Sequence, residues 1–385
     1  MNVPKLRFKE FKNDWSPKNL SEVVAFSKGN LLSKSDLDEQ GSYPCILYGE
    51  LYTKYHEVIR KVFSKTNYIS DNIVKSKYGD ILIPASGETP IDISTSSCIL
   101  LDNVLLGGDI NILSPKNCDG RFISYMISNN KRKTIARVAQ GHSIVHLYSE
   151  NLKKVNLDIP LLSEQKKIAD MLELLDKKIE LQTKKIEALK LFKSYTKSEI
   201  FKNGNHVCKL GAILNKWNKK NKDGAINYVE SISNKAGFIP QSEQFEDRNV
   251  ASKNLRNYYV IKKGVFGYNP SRLNVGSLAL KENDFISVVS PLYECFTTTQ
   301  NNTYLFEWFN SNNFKKETFS KFEGGVRNTL NFNNLCDIPI NLPDIETQNQ
   351  YAKYFNKINF KISLEEQKLS KLLKYKKALL QDMFI

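Results

Sequence analysis

The apolar positions of this chain form the same pattern twice. Residues 159–201 and 342–384 align without a gap at an offset of 183 residues, and each copy opens on an apolar residue followed by proline and closes on phenylalanine. Within both copies, one set of positions recurs with alternating spacings of four and three residues and is apolar in all layers but one. Such spacing is typical of the heptad seam of paired helices. The pattern therefore predicts two long helices that pair with each other.

The predicted seam takes equivalent positions from the two copies. They are Ile168, Leu172, Leu175, Ile179, Gln182, Ile186 and Leu189 in the first copy and Tyr351, Phe355, Ile358, Ile362, Glu365, Leu369 and Leu372 in the second. Gln182 and Glu365 are the polar members, and one polar residue in such a seam can fix the register at a cost in stability. We expect Gln182 to face Glu365 or a layer near it.

Each copy also carries a signal for the start of a helix. Pro160 and Pro343 interrupt the preceding segment, and residues 163–165 and 346–348 supply capping and first-turn side chains that suit the helix dipole. A helix from Ser163 to Phe201 would be about 58 Å long, which exceeds an ordinary helix inside a compact domain. This length is typical of a spacer.

The repeats leave two globular segments, so the predicted division is 1–158, 159–203, 204–342 and 343–385. Residues 1–158 and 204–342 are domains of ordinary size, and each mixes short β-rich runs with turn signals. Candidate helices within them are 121–137 and 303–322. The predicted fold class is therefore α+β: two mixed, strand-rich domains, each followed by a long helix, in a pseudo-two-fold internal repeat.

The chain is basic, with 56 Lys+Arg against 41 Asp+Glu and a net charge of +15. The excess is spread over all four segments, which favours basic folded surfaces over a basic tail. A polyanion, and nucleic acid above all, is the partner that this charge favours. A soluble protein that is simply rich in lysine is the alternative that charge alone leaves open.

The cysteines and the hydropathy narrow the class of protein. Six cysteines lie far apart without a C-x-x-C pair, so neither a disulfide framework nor a zinc knuckle is predicted, and buried thiols are expected. The N-terminal region lacks an apolar signal core, and no apolar run approaches the length of a membrane span. A cytoplasmic protein without membrane contact is the expectation.

Catalytic motifs are missing where an enzyme would need them. The sequence contains neither a Gly-rich triphosphate loop nor a dinucleotide-binding turn. Residues 269–272 begin like the Asn-Pro-Pro-aromatic signature of amino-methyltransferases but lack the second proline and the aromatic residue, so a loop is predicted there. No metal site is predicted. These observations indicate a binding protein that is not an enzyme by itself.

Each long helix opens on the same motif, Pro-x-x-x-x-Gln, at Pro160 to Gln165 and Pro343 to Gln348. Three further stretches are distinctive, namely Val3-Pro4-Lys5-Leu6-Arg7-Phe8, Ala85-Ser86-Gly87-Glu88-Thr89-Pro90 and Ser163-Glu164-Gln165-Lys166-Lys167-Ile168-Ala169. With these residues the whole chain resembles the specificity subunit of type I restriction-modification systems, and the helix motif is the most specific of them. The second helix departs from the pattern, with Asn349-Gln350-Tyr351 in place of Lys166-Lys167-Ile168.

This resemblance implies different roles for the domains, the helices and the partner subunits. Residues 1–158 and 204–342 would be target-recognition domains, each reading one half of a bipartite sequence in double-stranded DNA. The helices would form an antiparallel coiled coil that sets the spacing and docks two modification subunits. The chain would bind no cofactor; S-adenosylmethionine would belong to the modification subunits, which methylate adenine at N6, and ATP and Mg to restriction subunits.

Base reading requires side chains that donate and accept hydrogen bonds, and phosphate binding favours lysine, hydroxyls and glycine-rich turns. Loops that contain both are the candidates, although each is also explicable as an ordinary surface turn. Arg272 and Arg327 are the preferred base readers because arginine can pair with guanine through two hydrogen bonds. The candidates are Lys28, Asn30, Ser86, Gly87, Glu88, Thr89, Gln140, Gly141, His142 and Ser143 in the first domain, and Lys216, Lys219, Lys220, Asn269, Ser271, Arg272, Arg327 and Asn328 in the second.

Two other hypotheses belong to different functional classes. A structural coiled-coil adaptor would use the globular domains to bind proteins rather than specific DNA, and the divergent centres of the duplicated domains disfavour it. A nuclease or methyltransferase acting alone is disfavoured by the missing motifs. DNA discrimination separates the first of these from a specificity subunit, and methyl transfer by the purified chain separates the second.

Overall fold

The computed structural model describes residues 2–141, 144–202, 204, 206–234, 236–244, 254–273, 276–319 and 329–385. The chain divides into two compact units. The first unit comprises residues 1–183 and 368–385, and the second comprises residues 184–367. Each unit therefore contains one strand-rich domain together with a part of each long helix. The predicted four-segment boundaries stay a prediction.

Both long helices are present. The central helix is Leu162–Ile200, with 39 residues, and the C-terminal helix is Ile345–Asp382, with 38 residues. Within the second unit they run antiparallel, since Lys185 forms an ion pair with Glu365 at 2.9 Å while the Thr196 hydroxyl lies 3.5 Å from that of Tyr354. The predicted α+β class with two long helices is confirmed.

The seam positions lie on the covered sides of these helices. All of the seam residues predicted from the sequence are buried or half-buried. Glu365 is only 4% exposed and accepts a hydrogen bond from Lys185, which compensates the carboxylate that the seam buries. The register role of Gln182 stays a prediction.

The glutamine of the first Pro-x-x-x-x-Gln motif fastens the central helix to the first domain. Gln165 is 1% exposed and donates from Nε2 to the carbonyl oxygen of Pro160 at 2.9 Å. Its Oε1 accepts from the backbone N–H of Asp119 at 2.9 Å, and Asp119 caps the domain helix Gly120–Tyr125. One buried amide thus joins the start of the long helix to the start of the domain helix.

Gln348 makes the same connection in the second unit. It is 1% exposed, donates to the carbonyl oxygen of Pro343 at 2.9 Å and accepts from the backbone N–H of Asn301 at 3.2 Å. Asn301 caps the domain helix Asn302–Phe309. A glutamine is required because one side chain must both donate and accept. The repeated motif is therefore a repeated structural clamp.

The closing phenylalanine of each repeat also packs on a domain helix. Phe384 lies 5.3 Å from Phe122 between ring centroids in the first unit, and Phe201 lies 5.3 Å from Tyr304 in the second. All these rings are buried in the main hydrophobic cluster of their unit. Each domain core is therefore completed by residues from both long helices.

The N-terminal segment contributes a further clamp in the first unit. Arg7 forms two hydrogen bonds to Glu164, at 2.7 and 2.8 Å, and Glu164 is fully buried at the start of the central helix. Trp15 donates from its indole to the same carboxylate at 3.4 Å. This bidentate pairing raises the pKa of Arg7.

The first unit is built around a five-stranded sheet. The strands are β1 (Ser16–Asn19), β2 (Val24–Lys28), β3 (Tyr43–Ile46), β4 (Val58–Ile59), β5 (Ser64–Thr66), β6 (Ile81–Pro84), β7 (Ser86–Gly87), β8 (Ser97–Ile99), β9 (Leu105–Leu106), β10 (Ile110–Pro115), β11 (Val145–His146) and β12 (Asn156–Ile159). The order in the main sheet is β2-β10-β6-β8-β4, and its pairings are antiparallel except β4 with β8. Smaller sheets are β5-β3-β9, β1-β12 and β11-β7.

Short helices cover this sheet. They are Leu20–Val23, Glu50–Thr53, Gly120–Tyr125, Arg132–Val138 and Ser149–Lys153, with a 3-10 turn at Lys34–Asp36 and a π-helical turn at Met126–Asn130. The predicted helix 121–137 is thus interrupted. The backbone N–H of Lys131 donates to the carbonyl oxygen of Met126, which widens the helix there.

The second unit repeats the sheet topology of the first. The strands are β13 (His206–Lys209), β14 (Leu214–Lys216), β15 (Glu230–Ser233), β16 (Gly237–Pro240), β17 (Tyr259–Ile261), β18 (Phe266–Tyr268), β19 (Leu278–Leu280), β20 (Ser287–Val289), β21 (Glu294–Thr298) and β22 (Pro339–Leu342). The order in its main sheet is β14-β21-β18-β19. These strands correspond to β2, β10, β6 and β8, and the neighbours are antiparallel in both units. The helices are Gln241–Gln244, Asn302–Phe309, Asn312–Phe319 and Phe332–Cys336, with a 3-10 turn at Leu210–Ala212. The internal repeat is confirmed by this shared strand order.

All six cysteines are free thiols, and three of them are buried. Burial raises the pKa of the Cys45 and Cys118 thiols to about 11, so both stay protonated at neutral pH. Among the described residues, no helix has the length and apolar character needed to cross a membrane.

Replacing the clamp residue Gln165 by leucine should destabilise the first unit by about 2 kcal/mol. The substitution removes two buried hydrogen bonds and leaves the N–H of Asp119 without its partner. Calorimetric melting of Gln165→Leu and wild type measures the loss. Gln40→Leu, at an exposed glutamine, is the matched control, and equal melting of the two variants would contradict the clamp.

Glu307 gives the second unit a pH-dependent contribution to stability. Burial alone would raise its pKa, but Lys197 and Lys193, at 2.9 and 2.7 Å, lower it below the ordinary value. A lowered carboxylate pKa stabilises the fold above the unfolded pKa of about 4.3, and the contribution is lost as the pH falls through the folded value.

Glu307→Gln should therefore cost about 3 kcal/mol at pH 7, because it removes the counter-charge of the buried Lys197 and the partly shielded Lys193, and less at acid pH. Urea unfolding followed by tryptophan fluorescence at pH 7 and pH 3 measures both differences. Glu282→Gln, at an exposed carboxylate of the same unit, should be neutral at either pH. A constant deficit for Glu307→Gln across the pH range would show that the effect is not ionic.

Candidate nucleic-acid interface

One edge of the five-stranded sheet collects the candidate residues of the first domain. The register pairs Lys28 at the end of β2 with Asn111 at the start of β10, and Pro84 at the end of β6 with Ile110. The chain therefore leaves β2 and β6 at the same edge. This places Lys28 and residues 86–89 on one end of the sheet although they are far apart in sequence.

The loop that begins at Gln140 joins the same edge. β7 pairs with β11, so that Ser86 lies opposite His146. Gln140 exchanges backbone hydrogen bonds with His146 at 2.9 and 2.7 Å. Gly141 has a φ of +127°, which favours glycine, and a Cβ there would lie 2.1 Å from the carbonyl oxygen of Ile144. His142 and Ser143 lie outside the described residues.

Several of these side chains are available to a ligand. Lys28, Glu88, Thr89 and Gln140 are exposed. The Thr89 hydroxyl donates to Asp92 at 2.5 Å, which closes a turn at the tip of the loop. The exposed side chains therefore include a cation, a carboxylate and an amide. A cation can bind a phosphate, whereas a carboxylate or an amide can form hydrogen bonds to a base edge.

Three other candidates hold the loops in shape instead. The buried Ser86 hydroxyl donates to Asp109 at 3.0 Å. Gly87 is buried, and a Cβ there would lie 2.4 Å from Cγ2 of Ile93. Asn30 uses its amide to donate to the carbonyl oxygen of Asn72 at 2.9 Å and to accept from the N–H of Val74 at 3.0 Å. The polar groups of Ser86 and Asn30 are therefore occupied by hydrogen bonds within the domain.

The equivalent edge of the second domain carries Lys216 and Arg272. The register pairs Tyr268 at the end of β18 with Glu294 at the start of β21. Lys216, at the end of β14, forms an ion pair with Glu294 at 3.2 Å. Since Arg272 follows β18 in an exposed turn, it lies at the same edge as Lys216. This edge corresponds in topology to the edge with Lys28 in the first domain.

The turn 269–272 is fixed by local hydrogen bonds. The Asn269 side chain accepts from the N–H of Ser271 at 3.0 Å, and the Asn269 carbonyl accepts from the N–H of Arg272 at 3.0 Å. The side chains of Ser271 and Arg272 remain exposed. Asn269 therefore stabilises the turn, whereas the exposed Arg272 side chain extends from it.

An equivalent backbone hydrogen bond lies next to both edges. The N–H of Leu147 donates to the carbonyl oxygen of Ala85 at 2.9 Å, and that of Leu330 donates to Pro270 at 3.0 Å. Leu147 and Leu330 are again related by the offset of 183 residues. Arg327 and Asn328 precede Leu330 and lie outside the described residues.

Lys219 and Lys220 lie in a segment beside β17, outside the turn that carries Arg272. Both are exposed, but their backbone is attached to β17, where the N–H of Val260 donates to the carbonyl oxygen of Lys219 at 2.7 Å. Lys220 donates to Asn257 at 3.3 Å. These lysines therefore lie beside β17, in a segment other than the turn that carries Arg272.

Tyrosines near the first edge were missed by the sequence analysis. Tyr148 is 50% exposed and stacks with His146 at 6.0 Å between ring centroids. Burial raises the pKa of Tyr52, and nearby Tyr48 and Glu88 raise it further, which places these groups together. Exposed aromatic faces can stack on bases. No periodicity marks these positions, so only the folded loops identify them.

Comparison with known proteins shows which family and which folds this chain resembles. Residues 12–191 match the family model described as type I restriction modification DNA specificity domain. The S subunit of a type I restriction-modification system from M. genitalium has a similar structure, with a TM-score of 0.66 and 16% identity over 100% of this chain and 99% of that chain. A structure concerned with complex assembly and conformational transition of the type I R-M system gives a TM-score of 0.54 at 12% identity, over 96% of this chain and 97% of that chain.

These similarities cover different parts of the chain. The family model covers the first domain and most of the central helix, while the structural similarity extends over both domains and both long helices. At such low identities the solved structures show a common fold. Residues 12–191 thus match the type I restriction modification DNA specificity domain, within a chain whose fold is similar to that of an S subunit.

Proposed function

We propose that this chain is the non-catalytic subunit that gives a type I restriction-modification complex its DNA sequence specificity, each domain reading one half of a bipartite target. One observation carries the proposal: equivalent sheet edges in the two domains present different exposed side chains. The first edge offers Lys28, Glu88 and Gln140, and the second offers Lys216 and Arg272. A shared scaffold with different hydrogen-bonding groups suits two different half-sites.

The long helices would set the distance between the half-sites. The 39 residues of the central helix correspond to about 58 Å of rigid spacer. Half-sites that are read from one face of the duplex recur about every 34 Å, so a rigid spacer can select a fixed gap. The helix length would therefore be part of the specificity.

The same helices would dock two modification subunits. Exposed apolar side chains occur at repeat-equivalent positions on them, with Leu181 and Leu364 at one position and Phe192 and Tyr375 at another. Aromatic side chains are enriched at protein–protein interfaces relative to the rest of the surface. Because the positions come in pairs, they suit two copies of one partner.

The chemistry would reside in these partners. The modification subunits would use S-adenosylmethionine to methylate adenine, and the restriction subunits would use ATP and Mg. This chain would contribute double-stranded DNA recognition and assembly, with no cofactor of its own. Its net charge of +15 supports contact with the DNA backbone.

Adenine-methylation mapping across the genome tests the proposed function. Cells that carry the chain with its modification subunits are compared with cells that lack only the chain. A bipartite motif with a fixed gap should appear in the first and disappear in the second. If an intact complex forms without producing such a motif, the chain is instead a coiled-coil adaptor.

Arg272→Ala should weaken binding of the assembled complex to its target by about 1–3 kcal/mol and relax the preference at one base pair. The reason is that the substitution removes an exposed fork of donors from the second edge. Competition binding with DNA variants at fixed salt measures both effects. Arg256→Ala removes an exposed arginine of the same domain as a control. Equal weakening on every sequence would assign Arg272 to phosphate.

A further inference from the structure

One position at the two sheet edges carries opposite charges in the two domains. β6 ends at Pro84, opposite the first residue of β10, and β18 ends at Tyr268, opposite the first residue of β21. Glu88 lies four residues after Pro84, and Arg272 lies four residues after Tyr268. Since β6 and β18 are corresponding strands, Glu88 and Arg272 follow equivalent strand ends at the same distance along the chain.

The fold uses neither of these charges. Glu88 and Arg272 are exposed, and within the described part of the chain neither side chain forms a hydrogen bond or an ion pair. Lys28 lies at the same edge as Glu88, but no ion pair joins these two residues among those that the structure describes. Both charged groups are therefore available to a partner.

The loop around Glu88 is held in one conformation by hydrogen bonds. The Thr89 hydroxyl donates to the Asp92 carboxylate at 2.5 Å, and the backbone N–H of Asp92 donates to the carbonyl oxygen of Thr89 at 3.2 Å. Arg132 donates from its guanidinium to the carbonyl oxygen of Ile91 at 3.2 and 3.0 Å. A backbone that is already ordered loses little freedom on binding, which favours specific recognition by Glu88.

The carboxylate of Glu88 restricts the groups of DNA that it can contact. It accepts hydrogen bonds and donates none. A phosphate is an unfavourable neighbour because both groups are negative. The minor groove is only about 6 Å wide and lies between the phosphates of both strands, so it is unfavourable for the same reason. The favourable partners are therefore the amino groups of the major groove.

Cytosine and adenine present such amino groups in the major groove. Adenine presents the N7 acceptor beside its N6 amino group, and a carboxylate has no proton to donate to N7. Cytosine presents its N4 amino group as a donor alone. Cytosine N4 is therefore the base-edge group that fits Glu88 best.

The guanidinium of Arg272 has the opposite preference, since it donates hydrogen bonds and accepts none. It can pair with O6 and N7 of guanine through two hydrogen bonds. Lysine, in contrast, is common to both edges, with Lys28 as the last residue of β2 and Lys216 as the last residue of β14. The phosphate backbone is the same in every sequence, whereas the bases differ. The position that changes its charge is therefore the one that suits base reading.

We propose that Glu88 determines one base pair of the first domain's half-site by accepting a hydrogen bond from the N4 amino group of a cytosine. The inference rests on the proposed function, in which each domain reads one half of a bipartite target. It adds the residue that reads this base pair and the base that the half-site must contain.

Adenine-methylation mapping compares wild type, Glu88→Ala and Glu88→Gln, each expressed with the modification subunits. Glu88→Ala should relax a single C·G pair in one half-site and leave the gap and the other half-site unchanged. Glu88→Gln should shift the same position towards A·T, since an amide can donate to N7 and accept from N6 of adenine. Glu22→Gln is the control, because Glu22 is an exposed carboxylate before the opposite end of β2 from Lys28. It should keep the wild-type motif.

A base analogue tests the hydrogen bond itself. Target DNA with 2-pyrimidinone in place of the identified cytosine lacks the N4 amino group and keeps the rest of the ring. In competition binding of the assembled complex at fixed salt, the analogue should weaken wild type about tenfold more than it weakens Glu88→Ala. Any effect of the analogue on the duplex itself is common to both proteins and cancels in this comparison.

The inference is overturned if Glu88→Ala keeps the wild-type motif, or if the position that it relaxes is an A·T pair in wild type. Equal weakening of wild type and Glu88→Ala by the analogue would also contradict it. Weaker methylation at every site with an unchanged motif would assign Glu88 to the shape of the loop instead of base reading.

Failure of the proposed function would give a different result. If the wild-type complex forms but directs no bipartite motif, the proposed function fails. If wild type directs such a motif and both Glu88 variants leave it unchanged, only the assignment of Glu88 fails.

Discussion

A buried glutamine amide at the start of each long helix is the constraint on which both units depend. Gln165 and Gln348 each accept from the N–H of a cap residue on a domain helix and donate to the carbonyl oxygen of the motif proline. The clamp fixes the direction in which the long helix leaves the domain. Once this direction is fixed, the seam, the closing phenylalanine and the ion-paired lysines can pack on the same domain helix.

The same set of contacts is built twice while the sheet edges differ. Two clamps, two closing phenylalanines and two ion-paired lysines occupy equivalent positions. The edges share a lysine at the end of the corresponding strands, Lys28 and Lys216, but differ in Glu88 and Gln140 on one and Arg272 on the other. Contacts that set geometry must be equal if two identical partners are to bind. Contacts that read DNA must differ if two half-sites differ.

The long helices combine buried and exposed charge in distinct roles. Lys193 pairs with the buried Glu307 and Lys376 pairs with the largely shielded Glu57, and breaking either pair would leave a poorly solvated charge without its partner. Lys190 pairs with Glu366 at 2.6 Å at the surface, where an exposed ion pair contributes little to stability. The shielded pairs rather than the exposed one therefore fasten the long helices to their domains.

The sequence by itself determined the helices, the internal repeat and the basic charge, because heptad spacing, proline punctuation and composition are local properties. It also marked Gln165 and Gln348 through their motif, though not what they bind. Only the tertiary structure decided which loop side chains are available to a partner. Ser86 is hydrogen-bonded to Asp109, and Asn30 is hydrogen-bonded to the backbone of Asn72 and Val74. Strand register and long-range hydrogen bonds decide such availability, and these depend on residues brought together by folding rather than on neighbours in the chain.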